Sequence, residues 1–498
     1  MEQKTRAIPS SAPKNSSDPG ATQKKIGILV VAYNAASTLA SVLDRIPEEF
    51  RSKISEILVC DDHSQDSTYL VSLGYQQIAT DLPITVIRQP RNLGYGGNQK
   101  AGYQIAIERG FDIIVLLHGD GQYAPEYLPH IVAPLERDEC DAVFGSRMLE
   151  RGSARKGGMP FYKFVGNRIL TTFENAMLGT KLSEFHSGYR AYRVGALAEL
   201  PVATNSDGFN FDTQIIVQLH QAGMRISEVP IPTYYGDEIC YVNGLKYARD
   251  VVRDVTRYRL GTMGFGTSAT ITVGEEYRLK QSDESSHGKI SAWVSSRSPC
   301  RILDLGCSGG QLSAQLAAAG HSVTGVDAIE IDGVRDRVEH FIKADLDEGI
   351  PIGETGRGYD LVLAADLLEH LRKPERLLED VKQVLKPGGR LVVSIPNIGH
   401  WYPRLRILAG RFDYDQRGIL DETHLRFFTR RSFRKLARRS GFRIRREAAV
   451  GLPFDVISNS NGALTRAAKS LDRVSRTLRP TLFGYQFVLE LEPVQQNL

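Results

Sequence analysis

The ten residues 301–310, Arg-Ile-Leu-Asp-Leu-Gly-Cys-Ser-Gly-Gly, constrain this chain more than any other stretch. Ile302, Leu303 and Leu305 read as the end of a buried strand, and Gly306, Gly309 and Gly310 then turn the chain into a helix predicted over 311–319. A strand, a glycine turn and a helix open a βαβ unit of the nucleotide-binding kind. Glycine is required there because a Cβ would keep the backbone from approaching a ligand. The spacing does not fit G-x-G-x-x-G, which argues against a dinucleotide. A domain therefore starts near residue 289, and everything before it needs a fold of its own.

The length agrees, since 498 residues exceed one ordinary hydrophobic core. An apolar share of 42% and a charged share of 24% are those of a soluble globular protein. A net charge of +4 is too small to imply a nucleic-acid partner by itself. Cys60, Cys140, Cys240, Cys300 and Cys307 show no paired spacing, which favours the reduced cytoplasm over secretion. Residues 1–24 are rich in Ser, Pro and Lys, with no apolar stretch of signal-peptide type, and are predicted to be a disordered tail. No apolar run is long enough to span a bilayer. The expected location is cytoplasmic, either free or peripheral at the inner face of the membrane.

The first domain, expected over 25–258, alternates strands with helices, which implies a mostly parallel sheet covered on both faces. Strands are predicted over 26–34, 57–60, 84–88 and 113–117, with a helix over 36–46. A polar cluster follows each strand, where open α/β sheets place their ligands. The clusters are Ala32-Tyr33-Asn34, then Asp61-Asp62-His63-Ser64 with Asp66 and Thr68, then Arg91-Asn92-Leu93-Gly94, then Gly119-Asp120-Gly121-Gln122.

These motifs, in this order, resemble family 2 glycosyltransferases of GT-A fold, in the subgroup similar to dolichol-phosphate mannose synthase. Gly145-Ser146-Arg147, 186–190 (His-Ser-Gly-Tyr-Arg) and Glu228-Val229-Pro230 agree with it. The resemblance implies a nucleotide-sugar donor held by Ala32, Tyr33, Asn34, Asp61, Asp62, Asn92, Gly94, Asp120 and Arg147. It implies a divalent cation, Mg or Mn, on Asp120 and Gln122, with His118 standing where the family has its first carboxylate. A cation suits a diphosphate leaving group, and hard cations take oxygen ligands. Ser187 and Arg190 match the region that meets an acceptor phosphate, here a polyprenyl phosphate or a glycan. Asp212 is either a base that activates the acceptor or a helix cap.

A charged helix is predicted over 243–258, followed by a glycine-rich break at 260–268, a linker over 259–288, and a helix over 287–296. Beyond the glycine turn, the strand 323–327 ends in Asp327, about twenty residues on, where an acid accepts ribose hydroxyls. With Asp304 and Ser308, the turn resembles the D-x-G-x-G-x-G of class I S-adenosylmethionine (SAM) methyltransferases of Rossmann-like fold. That resemblance extends over 289–498 and implies SAM binding by Asp304, Gly306, Cys307, Gly309, Asp327, Asp345, Leu346 and Ala365. The turn within 385–391 and the strands 359–366, 392–397 and 484–489 continue the pattern.

His370 and His424 are each either a base for a hydroxyl acceptor or a histidine that fixes a loop. Trp401, Tyr402 and Phe412 either line an acceptor pocket or pack in the core. The absence of Asn-Pro-Pro-Tyr disfavours nucleic-acid methylation. Residues 430–446 carry nine Lys or Arg side chains, which either face anionic lipid or form a solvated surface. The expectation is a two-domain α/β enzyme that glycosylates and methylates a sugar or a related envelope or natural-product intermediate. The alternative is a methyltransferase whose first domain only binds substrate.

Overall fold

The structure, a computed structural model, describes residues 24–232, 243–266, 285–452 and 463–494. The tail expected at 1–24, apart from Lys24, and most of the expected linker fall outside the described residues. Among the described residues no helix is long and apolar enough to cross a membrane.

The chain divides into two compact units, each built on a seven-stranded mixed sheet. In the first sheet the strands are β1 (Ile26–Ala32), β2 (Ile54–Asp61), β3 (Ile84–Arg88), β4 (Ile113–His118), β5 (Ala142–Ser146), β6 (Arg190–Arg193) and β7 (Ile226–Pro230). They lie in the order β3-β2-β1-β4-β6-β5-β7, and only β6 runs antiparallel to its neighbours. The chain walks outward from β1 to β3 and returns to β4 on the other side of β1. That reversal opens a crevice at the carboxyl ends of the strands. Parallel register sets Ala32 beside Asp61 and Val31 beside His118, so the ends of β1, β2 and β4 are level.

The second sheet holds β8 (Arg301–Leu305), β9 (Ser322–Asp327), β10 (His340–Lys343), β11 (Tyr359–Ala365), β12 (Leu385–Pro396), β13 (Phe442–Val450) and β14 (Gln486–Pro493). Its order is β10-β9-β8-β11-β12-β14-β13, with β14 antiparallel to both β12 and β13. The same reversal occurs between β8 and β11, and Leu305 stands level with Val326 and Ala364. Apolar side chains from both faces of this sheet are buried, Leu303, Leu305 and Val393 on one and Ile302, Leu361 and Leu363 on the other. This accounts for the unbroken apolar runs in the sequence.

The glycine-rich stretch at 260–268 is not a break over its first half. The preceding helix runs Gly244–Thr262, and Phe265 then enters a buried cluster with Ile419 and Tyr485, against Met263 and Tyr402. Tyr485 donates to the Met263 carbonyl at 3.4 Å. Glycine at 264 and 418 lets two backbones meet, because a Cβ on Gly264 would stand 2.9 Å from the Gly418 Cα. The glycines here serve close packing as well as turning.

The basic run forms the helix Arg430–Arg439, capped by Thr429 and Ser432, followed by β13. Arg430 and Arg434 pair with Glu447, and Arg443 and Arg445 with Glu492. Arg446 lies 4.3 Å over the Trp293 ring. Five of the nine cations thus have protein partners.

Candidate active sites

In the first unit, the residues singled out from the sequence gather at the level ends of β1, β2 and β4. Asn34 adopts φ +50 just past β1, and its side-chain oxygen accepts from the Gln65 amide at 2.9 Å. Its own amide donates to Ser64 Oγ at 2.9 Å, so the loops after β1 and β2 are stitched together. Tyr33 beside it is exposed. Asp61 is fully buried, with the Arg88 guanidinium at 3.5 Å. The two oxygens of Asp62 accept from the amides of Leu93 and Gly94 at 2.7 and 3.0 Å, and Asn92 Oδ1 also accepts from Gly94. Asp62 therefore shapes the Arg-Asn-x-Gly loop. Burial pushes its carboxyl up, and the two amides oppose that shift.

Past β4, Asp120 is exposed and accepts from the Gln122 amide at 3.0 Å. His118 packs edge-on against Tyr95 and Tyr123, with ring centres 5.7 and 5.0 Å away. The Gly188 amide donates to the Tyr123 hydroxyl at 2.7 Å, which ties the 186–190 loop to this aromatic group. Arg190, expected at an acceptor phosphate, is 1% exposed. It donates through Nε to the Ser187 carbonyl at 2.8 Å and lies over the Phe144 ring. Its guanidinium holds the loop that carries Ser187. Arg147 and Ser187 are also buried.

Asp212 sits inside the first turn of the helix Phe211–Gln221 and is buried, while Asn210 holds the cap position. It is therefore not the cap. Around that helix, Asn210 and Gln214 both donate to Asp254, at 2.6 and 2.7 Å, and Thr213 donates to Glu174 at 3.0 Å.

In the second unit, Gly306, Ser308 and Gly310 take φ values of +72, +51 and +74 between β8 and the helix Gln311–Ala318. A serine is uncommon in that region of backbone space. The Ser308 amide donates to Asp327 Oδ2 at 2.8 Å, and the Ile329 amide to Oδ1 at 3.0 Å. These bonds point the acid at the end of β9 into the turn. A Cβ on Gly306 would stand 3.1 Å from Leu367 Cδ1, so the loop after β11 lies against the turn. Asp304 is buried and accepts from Ser313 Oγ at 2.5 Å. Burial pushes it up to about 6, the Ser313 hydroxyl opposes the shift and the Asp327 charge adds to it. Burial also pushes the Cys307 thiol up, which leaves it an apolar wall and not a nucleophile. Arg337 donates to the Gly309 carbonyl at 2.7 Å. Asp345 is exposed, Leu346 beside it is buried, and Ala365 ends β11 next to Asp366 at φ +52. The Asp366 carboxylate accepts from Ser394 and Gln486.

His370 and His424 come together across 54 residues, with ring centres 4.9 Å apart. Glu369, which the sequence reading passed over, belongs with them. One ligating atom from each of Glu369, His370 and His424 lies within 4.8 Å of the others. Burial, together with the neighbouring His370, lowers the His424 pKa. The aromatics divide: Tyr402 is half-buried and donates to Asp415 at 2.8 Å, whereas Phe412 is exposed beside Tyr414 and Phe427.

Two nucleotide-type crevices with these motifs define a transferase built of a glycosyltransferase domain followed by a methyltransferase domain. Residues 27–200 match the description "Glycosyl transferase family 2", and residues 280–447 match "Methyltransferase domain". An undecaprenyl-phosphate mannosyltransferase of Micrococcus luteus is 31% identical over 41% of this chain and 81% of its own length. A polyprenol monophosphomannose synthase of Mycolicibacterium smegmatis is 27% identical over 42% of this chain and 77% of its own. The chain belongs to glycosyl transferase family 2 and carries a methyltransferase domain behind it. A methyltransferase structure from Burkholderia thailandensis is also similar, at 20% identity over 43% of this chain and 80% of its own, with a TM-score of 0.29, too low to carry a function across.

Proposed function

We propose that the chain is a bifunctional enzyme, a glycosyltransferase over 25–258 and a SAM-dependent methyltransferase over 289–498. The observation that carries the reading is the pair of equivalent crevices, one ending in Asp61, Asp62 and Asp120, the other in the Gly306–Ser308 turn and Asp327. The donor is a nucleotide sugar and the acceptor a polyprenyl phosphate, by likeness to relatives whose names state such acceptors. A phosphate acceptor is already ionised, so an inverting attack on the anomeric carbon needs no general base.

A divalent cation fits Asp120 with Gln122, because that carboxylate is exposed and has lone pairs free of the one amide it accepts. The cation would offset charge on the departing diphosphate. His118 contributes packing there and not a ligand. SAM fits the second crevice. The turn keeps a Cβ out at Gly306, and Asp327 retains acceptor capacity toward ribose hydroxyls after its two amide bonds. SAM supplies an electrophilic methyl group. The chain's residues would orient it, with Leu367 lying against the turn. The place of work is the cytoplasmic face of a membrane, reached peripherally.

The test is to incubate the full chain with undecaprenyl phosphate, a panel of nucleotide sugars and isotopically labelled SAM, and to weigh the products. A sugar-bearing lipid phosphate and a labelled methyl group are both expected. Methylation without any nucleotide-sugar turnover would favour the rival reading, in which the first domain only binds substrate.

A further inference from the structure

The geometry points to a second divalent cation site, formed by Glu369, His370 and His424 at the SAM edge of the methyltransferase sheet. Two elements supply it. Glu369 and His370 follow β11, and His424 arrives on a separate loop. That loop is fixed to the first by the amides of Leu425 and Arg426, which both donate to the Glu369 carbonyl at 2.9 Å. The three ligating atoms lie within 4.8 Å of one another, near the spacing of roughly 3–3.5 Å that ligands about 2.1 Å from one ion adopt.

The histidines are also held in the tautomer a metal needs. His424 Nδ1 faces the Ile419 carbonyl at 3.2 Å, and His370 Nδ1 faces the Thr423 carbonyl at 3.2 Å. Thr423 Oγ1 gives its own proton to Asp421 and so can only accept from His370. Each Nδ1 therefore carries the hydrogen and each Nε2 the lone pair. A ring N–H bonded to a carbonyl is the usual outer support of a metal-bound histidine.

Two imidazoles and one carboxylate suit a first-row divalent ion, borderline Co2+ or Zn2+ or the harder Mn2+, and leave coordination positions open. Leu367, two residues before Glu369, lies against Gly306 of the cofactor turn, which sets the loop that carries Glu369 and His370 beside that turn. The ligand they would take is a hydroxyl of the methyl acceptor. Bound to the cation, that hydroxyl gives up its proton to water. Its oxygen then takes the methyl carbon as the carbon–sulfur bond breaks, leaving S-adenosylhomocysteine. The half-buried Phe427 ring next to His424, with the exposed rings of Phe412 and Tyr414 beyond it, offers a face for the rest of such an acceptor.

This rests on the methyltransferase reading, and the test separates the two. Full-length Asp120→Ala chain, stripped with chelator, is titrated with Co2+ and followed by visible absorption and equilibrium dialysis. One Co2+ per chain is expected, and Glu369→Gln, His370→Asn and His424→Asn should each weaken it by about tenfold or more. SAM affinity, measured by calorimetry, should stay within about twofold, which shows that the variants fold. Pulsed EPR of Mn2+ on the Asp120→Ala chain should show coupling to imidazole nitrogen, whatever the variants do. No retained Co2+, unaltered affinity in the histidine variants, or no nitrogen coupling would each overturn the site. Loss of SAM binding by the parent chain would overturn the methyltransferase reading alone, because Co2+ is read without SAM.

Discussion

Gly188 makes the room that the His118 ring occupies, since a Cβ there would stand 2.6 Å from His118 Cε1 and 2.7 Å from Nε2. The two residues lie on separate loops, joined through Tyr123, which accepts from the Gly188 amide and packs against the His118 ring. The family's missing carboxylate is thus replaced by a packed aromatic cluster. Gly188→Ala should destabilise the chain by about 1–3 kcal/mol through overpacking. In a His118→Ala background the same change should cost clearly less, and equal costs in urea denaturation would refute the coupling.

Sugar transfer should depend on Asp120, the exposed carboxylate past β4. Asp120→Ala should remove nucleotide-sugar turnover while SAM affinity holds. Turnover near the wild-type rate in that variant would sink the cation assignment.

The SAM turn should answer to Asp327 and Gly306. Asp327→Ala removes the carboxylate that the Ser308 and Ile329 amides orient, and should weaken SAM by roughly 1–3 kcal/mol in calorimetry. Gly306→Val places a branched side chain at φ +72 and 3.1 Å from Leu367, and should weaken it further. A chain that binds NAD in place of SAM would show the turn to be misread.

Two buried groups of the second unit pull stability in opposite directions between about pH 4 and 6. Burial raises Asp304 from its ordinary 3.8 to about 6, so the folded chain holds the extra proton and stability falls as pH rises through that window. Burial lowers His400 from 6.5 to about 4, so the unfolded chain holds the extra proton and stability rises with pH. Each effect is on the order of 2–3 kcal/mol. Relative to wild type, Asp304→Asn should steepen the gain in stability with pH, and His400→Gln should diminish or reverse it. Trp293 and Trp401 are the chain's two tryptophans and both belong to this unit, so their fluorescence during denaturation reports it selectively. Parallel pH profiles for all three chains would contradict the assignment.

The strand–turn–helix start at 301–310 and the four strand-end clusters were legible because apolar runs and glycines act locally, through backbone reach. What escaped reading depends on chain brought from far away. Arg190 matched a region expected to meet an acceptor phosphate, and its burial over the Phe144 ring follows only from the pairing of β5 with β6. Glu369 stood next to a noted histidine, but His424, its other partner, lies 55 residues on and nothing local links the two. The strand His340–Lys343 was too short to show a period. The basic run gave its sign correctly and its partners not at all, because Glu447 meets Arg430 and Arg434 only once β13 lies along their helix, and Glu492 meets Arg443 and Arg445 only once β13 and β14 pair.

A fusion point between two enzymes ordinarily stays reversible, since a gene can break there again and release two working products. Phe265 has withdrawn that freedom from the stretch before residue 267. Its ring, set among Ile419, Tyr485 and Tyr402, makes the first residues of the expected linker part of a cluster with the methyltransferase domain. A descendant gene for the methyltransferase alone would have to begin upstream of Met263 or evolve a new plug for the socket.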